Sequence, residues 1–135
     1  MRQHTLIGQI GIAAVVMFVI GLTMRSDAQV GPSRKILLQR DLDIPGYETI
    51  LNEASIAVGG REGKHRHPGA FVAYLLEGEM TLEMEGQPSR TLKAGDSVFV
   101  PAGQVHEGIN TGRIPIKALV TFIVKKGQPL TTAAP

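Results

Sequence analysis

GGREGKHRHPGAFVAYLLEG, residues 59–78, and GDSVFVPAGQVHEGIN, residues 95–110, carry most of what this chain discloses about its architecture. His65 and His67 are two residues apart. In an extended chain such residues project from one face, about 7 Å apart along the backbone. That spacing lets two imidazoles reach one ion, although a His-x-His pair alone reads equally well as two hydrogen-bonded surface residues. His106 lies 39 residues beyond His67, just after the turn Pro101-Ala102-Gly103. A strand returning from that turn brings a third imidazole beside the first two. Neutral imidazoles select zinc, copper, iron or nickel over calcium or magnesium. Three of them leave one open position on a tetrahedral ion and more on an octahedral one.

Outward from these segments the pattern is that of strands. In Glu79 to Glu85, Met80, Leu82 and Met84 share one parity while Thr81, Glu83 and Glu85 take the other. This is the alternation of a half-buried strand. Thr49 to Val58 places Ile50, Ala54, Ile56 and Val58 on one side, and Ile116 to Val124 does the same with Ile116, Ala118, Val120, Phe122 and Val124. Phe71 to Leu76 and Ser97 to Val100 are short apolar runs, expected to be strands covered on both faces. Gly and Pro punctuate the intervals at Pro45-Gly46, Gly59-Gly60, Pro68-Gly69, Gly78, Gly86, Gly95 and Gly103. Seven or eight short strands with such turns predict an all-β sandwich or barrel. No helical pattern follows the N-terminal segment.

The spacing Gly59-x5-His65-x-His67-x3-Phe71-x6-Gly78 resembles the first motif of the cupin superfamily, and Gly95-x5-Pro101-x-Gly103-x2-His106-x3-Asn110 matches its second motif at every defined position. The 16 residues between Gly78 and Gly95 are similar to the compact spacing of microbial cupins. The chain also looks like the small single-domain cupins called quercetin-dioxygenase-like. The resemblance implies a double-stranded β-helix, the jelly-roll barrel of cupins, with one divalent metal on His65, His67 and His106: iron, zinc, copper, nickel or manganese. It also implies a homodimer. One departure stands out. The family's usual fourth ligand is a Glu, and Phe71 occupies its position, with Ala70 and Val72 beside it. Three neutral His leave a divalent ion its full charge, so the site is expected to attract a carboxylate, an enolate or hydroxide.

The 135 residues suffice for one domain. With four Phe, two Tyr and no Trp, the core must be aliphatic. A net charge of +2, with no run of Lys or Arg longer than two, excludes a nucleic-acid partner of the electrostatic kind. The absence of Cys excludes thiolate ligands, disulfides and a cysteine nucleophile. Residues 1–28 have the layout of a secretory signal peptide: Arg2, an apolar stretch from Leu6 to Met24, and small residues in Ser26-Asp27-Ala28. An uncleaved membrane anchor is the competing reading, since 19 residues can span a bilayer. Residues 29–34 read as a flexible lead, 35–126 as the cupin domain and 127–135 as a loose tail. The expected location is periplasmic or secreted.

Other residues read as supporting. Glu107 should face away from His106, as a structural or exposed group. Tyr74 belongs to core or interface. Glu77 and Glu79 are solvated. Arg61, Lys64 and Arg66 are surface cations near the first motif. Asp96 caps its own turn. Gly95 and Gly103 occupy conformations that side chains resist. No general base is evident. The function expected first is a metal-dependent dioxygenase acting on a small anionic or enolisable molecule. A non-catalytic module binding a small ligand, and a hydrolase using metal-activated water, are the alternatives.

Overall fold

The computed structural model describes residues 31–135. The expected signal peptide or anchor at 1–28, with His4, and the start of the lead lie outside the described residues. Ten strands follow in order: β1 (Ser33–Asp41), β2 (Tyr47–Ile56), β3 (His65–Arg66), β4 (Ala70–Glu77), β5 (Glu79–Met84), β6 (Arg90–Lys93), β7 (Ser97–Val100), β8 (His106–Asn110), β9 (Ile116–Lys125) and β10 (Thr132–Ala133). They form two five-stranded sheets, β1-β2-β9-β4-β7 and β10-β3-β8-β5-β6, antiparallel at every pairing. All-β architecture and the facing of the two sheets follow from period-two burial.

The alternation read from sequence sets the inner face. Met80, Leu82 and Met84 of β5 are buried, as are Ile116, Ala118, Phe122 and Val124 of β9. In β2 the inward set is Ile50, Asn52, Ala54 and Ile56, whereas Val58 lies past the strand end and is exposed. Apart from Asn52 and Ala54, the inward side chains of these strands, with Leu75, Leu92, Val98 and Val100, build one largely aliphatic core between the sheets.

The expectation that β4 and β7 are covered on both faces is corrected. Phe71, Ala73 and Leu75 are buried, but Val72, Tyr74 and Leu76 between them are exposed. Val98 and Val100 point in while Phe99 is 60% exposed. In a two-layer fold each sheet has one face against the core, so the alternate residues face outward even when apolar.

The tail is also corrected. Residues 127–135 were expected to be loose, yet β10 pairs with β3, Thr132 opposite Arg66 and Ala133 opposite His65. Leu130 packs against the core. The edge of β3 offers unpaired backbone groups, and the tail satisfies them. The motif's turn residues behave as expected. Gly95 and Gly103 have φ of 94° and 75°, and the Lys93 N–H donates to the Asp96 carboxylate at 2.9 Å. Asn110 is structural: its amide donates to the carbonyls of Ile56 and Ile114, both at 2.9 Å, and its oxygen accepts from Gly112.

Candidate metal centre

β3 and β8 pair with His65 directly opposite His106. Residues opposite each other across an antiparallel pair share a face, so both rings enter the barrel. His67, two residues beyond His65, follows onto the same side. All three are buried, none more than 4% exposed. Ring centroids stand 4.3 Å apart for His65 and His106, 4.8 Å for His65 and His67, and 5.2 Å for His67 and His106. The sequence-derived trio converges.

Each ring is held from behind by the main chain. Nδ1 of His65 donates to the Gly63 carbonyl at 2.8 Å, Nδ1 of His67 to the Leu130 carbonyl at 2.7 Å, and Nδ1 of His106 to the Gln104 carbonyl at 2.9 Å. A carbonyl only accepts, so Nδ1 carries the hydrogen and Nε2 keeps its lone pair. This is the arrangement that orients and tautomerises imidazole ligands. Burial lowers His67 to about 4 and lowers His106 as well, so both rings are neutral at physiological pH.

The donor set fits one ion. One ring nitrogen of each His lies within 4.8 Å of the other two. Imidazoles bound at about 2.0–2.1 Å in a tetrahedral set stand about 3.4 Å apart, so the widest pair of the trio must close by about 1.4 Å to hold an ion. Phe71 sits where the carboxylate ligand was missing from the sequence, its ring centroid 5.2 Å from those of His67 and His106. Phe122 backs His67 at 4.8 Å. The three His open onto a cavity of about 60 Å³ walled mainly by aliphatic and aromatic side chains. That holds a few water-sized groups, and is far below the roughly 300–1,000 Å³ of drug-sized ligand pockets.

Two charged residues on this wall were not singled out by sequence reasoning: Arg34 and Glu62. Arg34 is opposite Ala54 in the β1–β2 register and shares its inward face. Glu62 is opposite Gly108, whose carbonyl accepts its N–H at 3.0 Å. Gly108 has the parity of His106, so Glu62 also faces in. The two side chains pair at 3.1 Å, with side-chain exposures of 29% and 14%, which places them where the cavity opens. No pattern in the chain announces them; they meet only through the fold.

Glu107 faces away from His106, as expected, but it is not exposed. It is 2% accessible, and Arg61 donates to its two oxygens through Nε and a terminal nitrogen, each at 2.7 Å. The Gly63 N–H adds a third bond at 3.0 Å. The Arg61 hydrogen bond, foremost, holds this carboxyl below the usual Glu range. Arg61, read from sequence as a surface cation, is half exposed and anchors the segment that leads into His65. Tyr74, Glu77 and Glu79 are exposed and take no part in the site.

A jelly-roll barrel with three buried His converging on an apolar cavity defines the chain as a small cupin. Residues 52–122 match the Cupin_2 family, cupin domain, and the chain belongs to that family. It is 43% identical to dimethylsulfoniopropionate lyase DddQ of Ruegeria pomeroyi over 58 residues, which cover 43% of this chain and 28% of that protein. It is 28% identical to an oxalate oxidase of Triticum aestivum over 96 residues, 61% of this chain and 43% of that one. The chain thus spans less than half the length of either relative. Among solved structures, a double-stranded β-helix protein of Klebsiella pneumoniae superposes with a TM-score of 0.63 at 21% identity, covering 78% of this chain and 86% of that one. The Ruegeria pomeroyi lyase superposes at 0.67 with 24% identity over 84% and 57%. At such identity these likenesses establish the fold.

Proposed function

We propose that this cupin holds one divalent transition metal ion on Nε2 of His65, His67 and His106 and is a metal-dependent enzyme, dioxygenase-like, acting on a small carboxylate or enolisable acid. The observation that carries this reading is the set of three buried imidazoles, each braced at Nδ1 by a main-chain carbonyl and aimed into a dry cavity. Structural sites close their coordination with protein groups, whereas Phe71 leaves this one open. A bound ion supplies Lewis acidity toward an anionic ligand. Phe71 and Phe122 exclude water from that ligand, and the carbonyl braces hold the imidazoles in one tautomer throughout. The cavity volume favours a substrate of a few heavy atoms over a multi-ring flavonol. The names of the two enzyme relatives, a dimethylsulfoniopropionate lyase and an oxalate oxidase, both denote small carboxylates.

Elemental analysis of the purified protein, followed by oxygen uptake and product analysis on a panel of small keto acids, hydroxy acids and diketones, tests the reading. Stoichiometric iron, copper, nickel or manganese with oxygen consumption supports it. Turnover without oxygen replaces it by elimination or hydrolysis, and binding without turnover by a sensing module. Protein without metal overturns it. Export to the periplasm or beyond, supported by the signal-like residues 1–28, and a homodimer, supported by the apolar outer face of β4 and β7, belong to the same proposal.

A further inference from the structure

The geometry points to a carboxylate-exchange latch at the entrance of the cavity: Arg34 is the anchor for the carboxylate of a small monocarboxylate ligand, and Glu62 is the internal carboxylate that such a ligand displaces. This rests on the metal reading above and names the ligand class of that site. Arg34 and Glu62 are the charged residues on an otherwise apolar wall that also presents the three His. A guanidinium offers paired donors that match a planar carboxylate, and its present partner is one.

Glu62 is built into this position. One oxygen accepts from Arg34 at 3.1 Å and the other from the Gly108 N–H at 3.2 Å. Gly108 supplies the room as well as the donor: a Cβ there would stand 2.8 Å from that oxygen. A side chain at 108 would push the carboxylate out of the mouth. Arg34 keeps a second hold when Glu62 leaves, because its other terminal nitrogen donates to the Thr131 hydroxyl at 3.3 Å. The guanidinium therefore stays at the opening while its anion is exchanged. The pair sits at the mouth with side-chain exposures of 29% and 14%, so solvent screens it in part and an external carboxylate can compete for the guanidinium. A ligand held on Arg34 extends its remaining few atoms toward His65, His67 and His106.

The test is calorimetric titration of acetate, with acetamide as the neutral control, into cobalt(II)-loaded full-length protein, wild type and the variants Arg34→Met, Arg34→Lys and Glu62→Gln. Cobalt stoichiometry and visible absorption are read on the same samples. We expect Arg34→Met to weaken acetate at least about tenfold, the loss of one charge-assisted pair. Arg34→Lys should fall between, and Glu62→Gln should tighten acetate severalfold by removing the competitor. Acetamide and cobalt content should not change. Acetate affinity indifferent to Arg34→Met, or weakened by Glu62→Gln, overturns the latch while leaving the metal reading intact. Failure of the wild type to take cobalt overturns the metal reading. The same order of variants on metal-free protein then upholds the latch, and any other order, or no acetate binding, overturns it.

Discussion

Phe71 governs the electrostatics of the site. Its ring lies against two of the three imidazoles where the cupin pattern has an anionic ligand, so the trio meets any ion without a carboxylate from that position. Replacing it by Glu adds a carboxylate beside the ion, and even well-screened charges at contact attract strongly. We expect Phe71→Glu to raise metal affinity about tenfold or more, measured by competition with a chromophoric chelator, and to lower the melting temperature of the metal-free protein, since an unpaired carboxyl is then buried. Unchanged affinity would place residue 71 away from the ion. The three His were legible because two-residue spacing and a turn-separated third His map directly onto sheet geometry. Arg34 and Glu62 were not, because their meeting depends on a register in β1 and on a glycine in β8 that makes room, and neither leaves a local mark.

At the level of elements, β10 is the unexpected contributor. It is two residues long, and a bridge of that size has no periodicity to read. The segment before it nevertheless places the Leu130 carbonyl on His67, and β10 itself closes the edge of β3. Deleting residues 129–135 should weaken metal binding about 10–100-fold, the usual effect of losing such an orienting partner. Leu130→Ala, which keeps the carbonyl, should retain most of the affinity. Chelator competition alongside circular dichroism separates these from global unfolding. Equal affinity in the truncated and full chains would show that the carbonyl brace is dispensable. β5, by contrast, was plain in the sequence, because Glu79, Thr81 and Glu83 fill its outer positions and mark the period, and β9 keeps the period through Lys117, Thr121 and Lys125 although Leu119 and Ile123 also lie on its outer side. β4 and β7 misled because their outer residues are apolar, and composition alone does not distinguish a covered face from an uncovered one.

That open face acts at the scale of the whole molecule. Val72, Tyr74 and Leu76 of β4 and Phe99 of β7 project from one side of the first sheet, Val72 directly opposite Phe99, with Ile123 of β9 beside them. Contiguous apolar surface of this kind marks an interaction site, and a second copy of the chain is the occupant we favour. Light scattering should give a dimer for the protein and a monomer for the double variant Tyr74→Glu, Phe99→Glu, with metal content retained because these side chains point away from the barrel interior. A monomeric parent protein would dismiss the dimer. One further consequence follows from the Leu130 brace. The residue lies in the chain after β1 through β9, so the support for His67 is synthesised only after the three imidazoles it helps to orient. A chain that stops short of residue 130 therefore lacks the finished trio, and any ion capture is expected to wait for the C-terminal segment to dock.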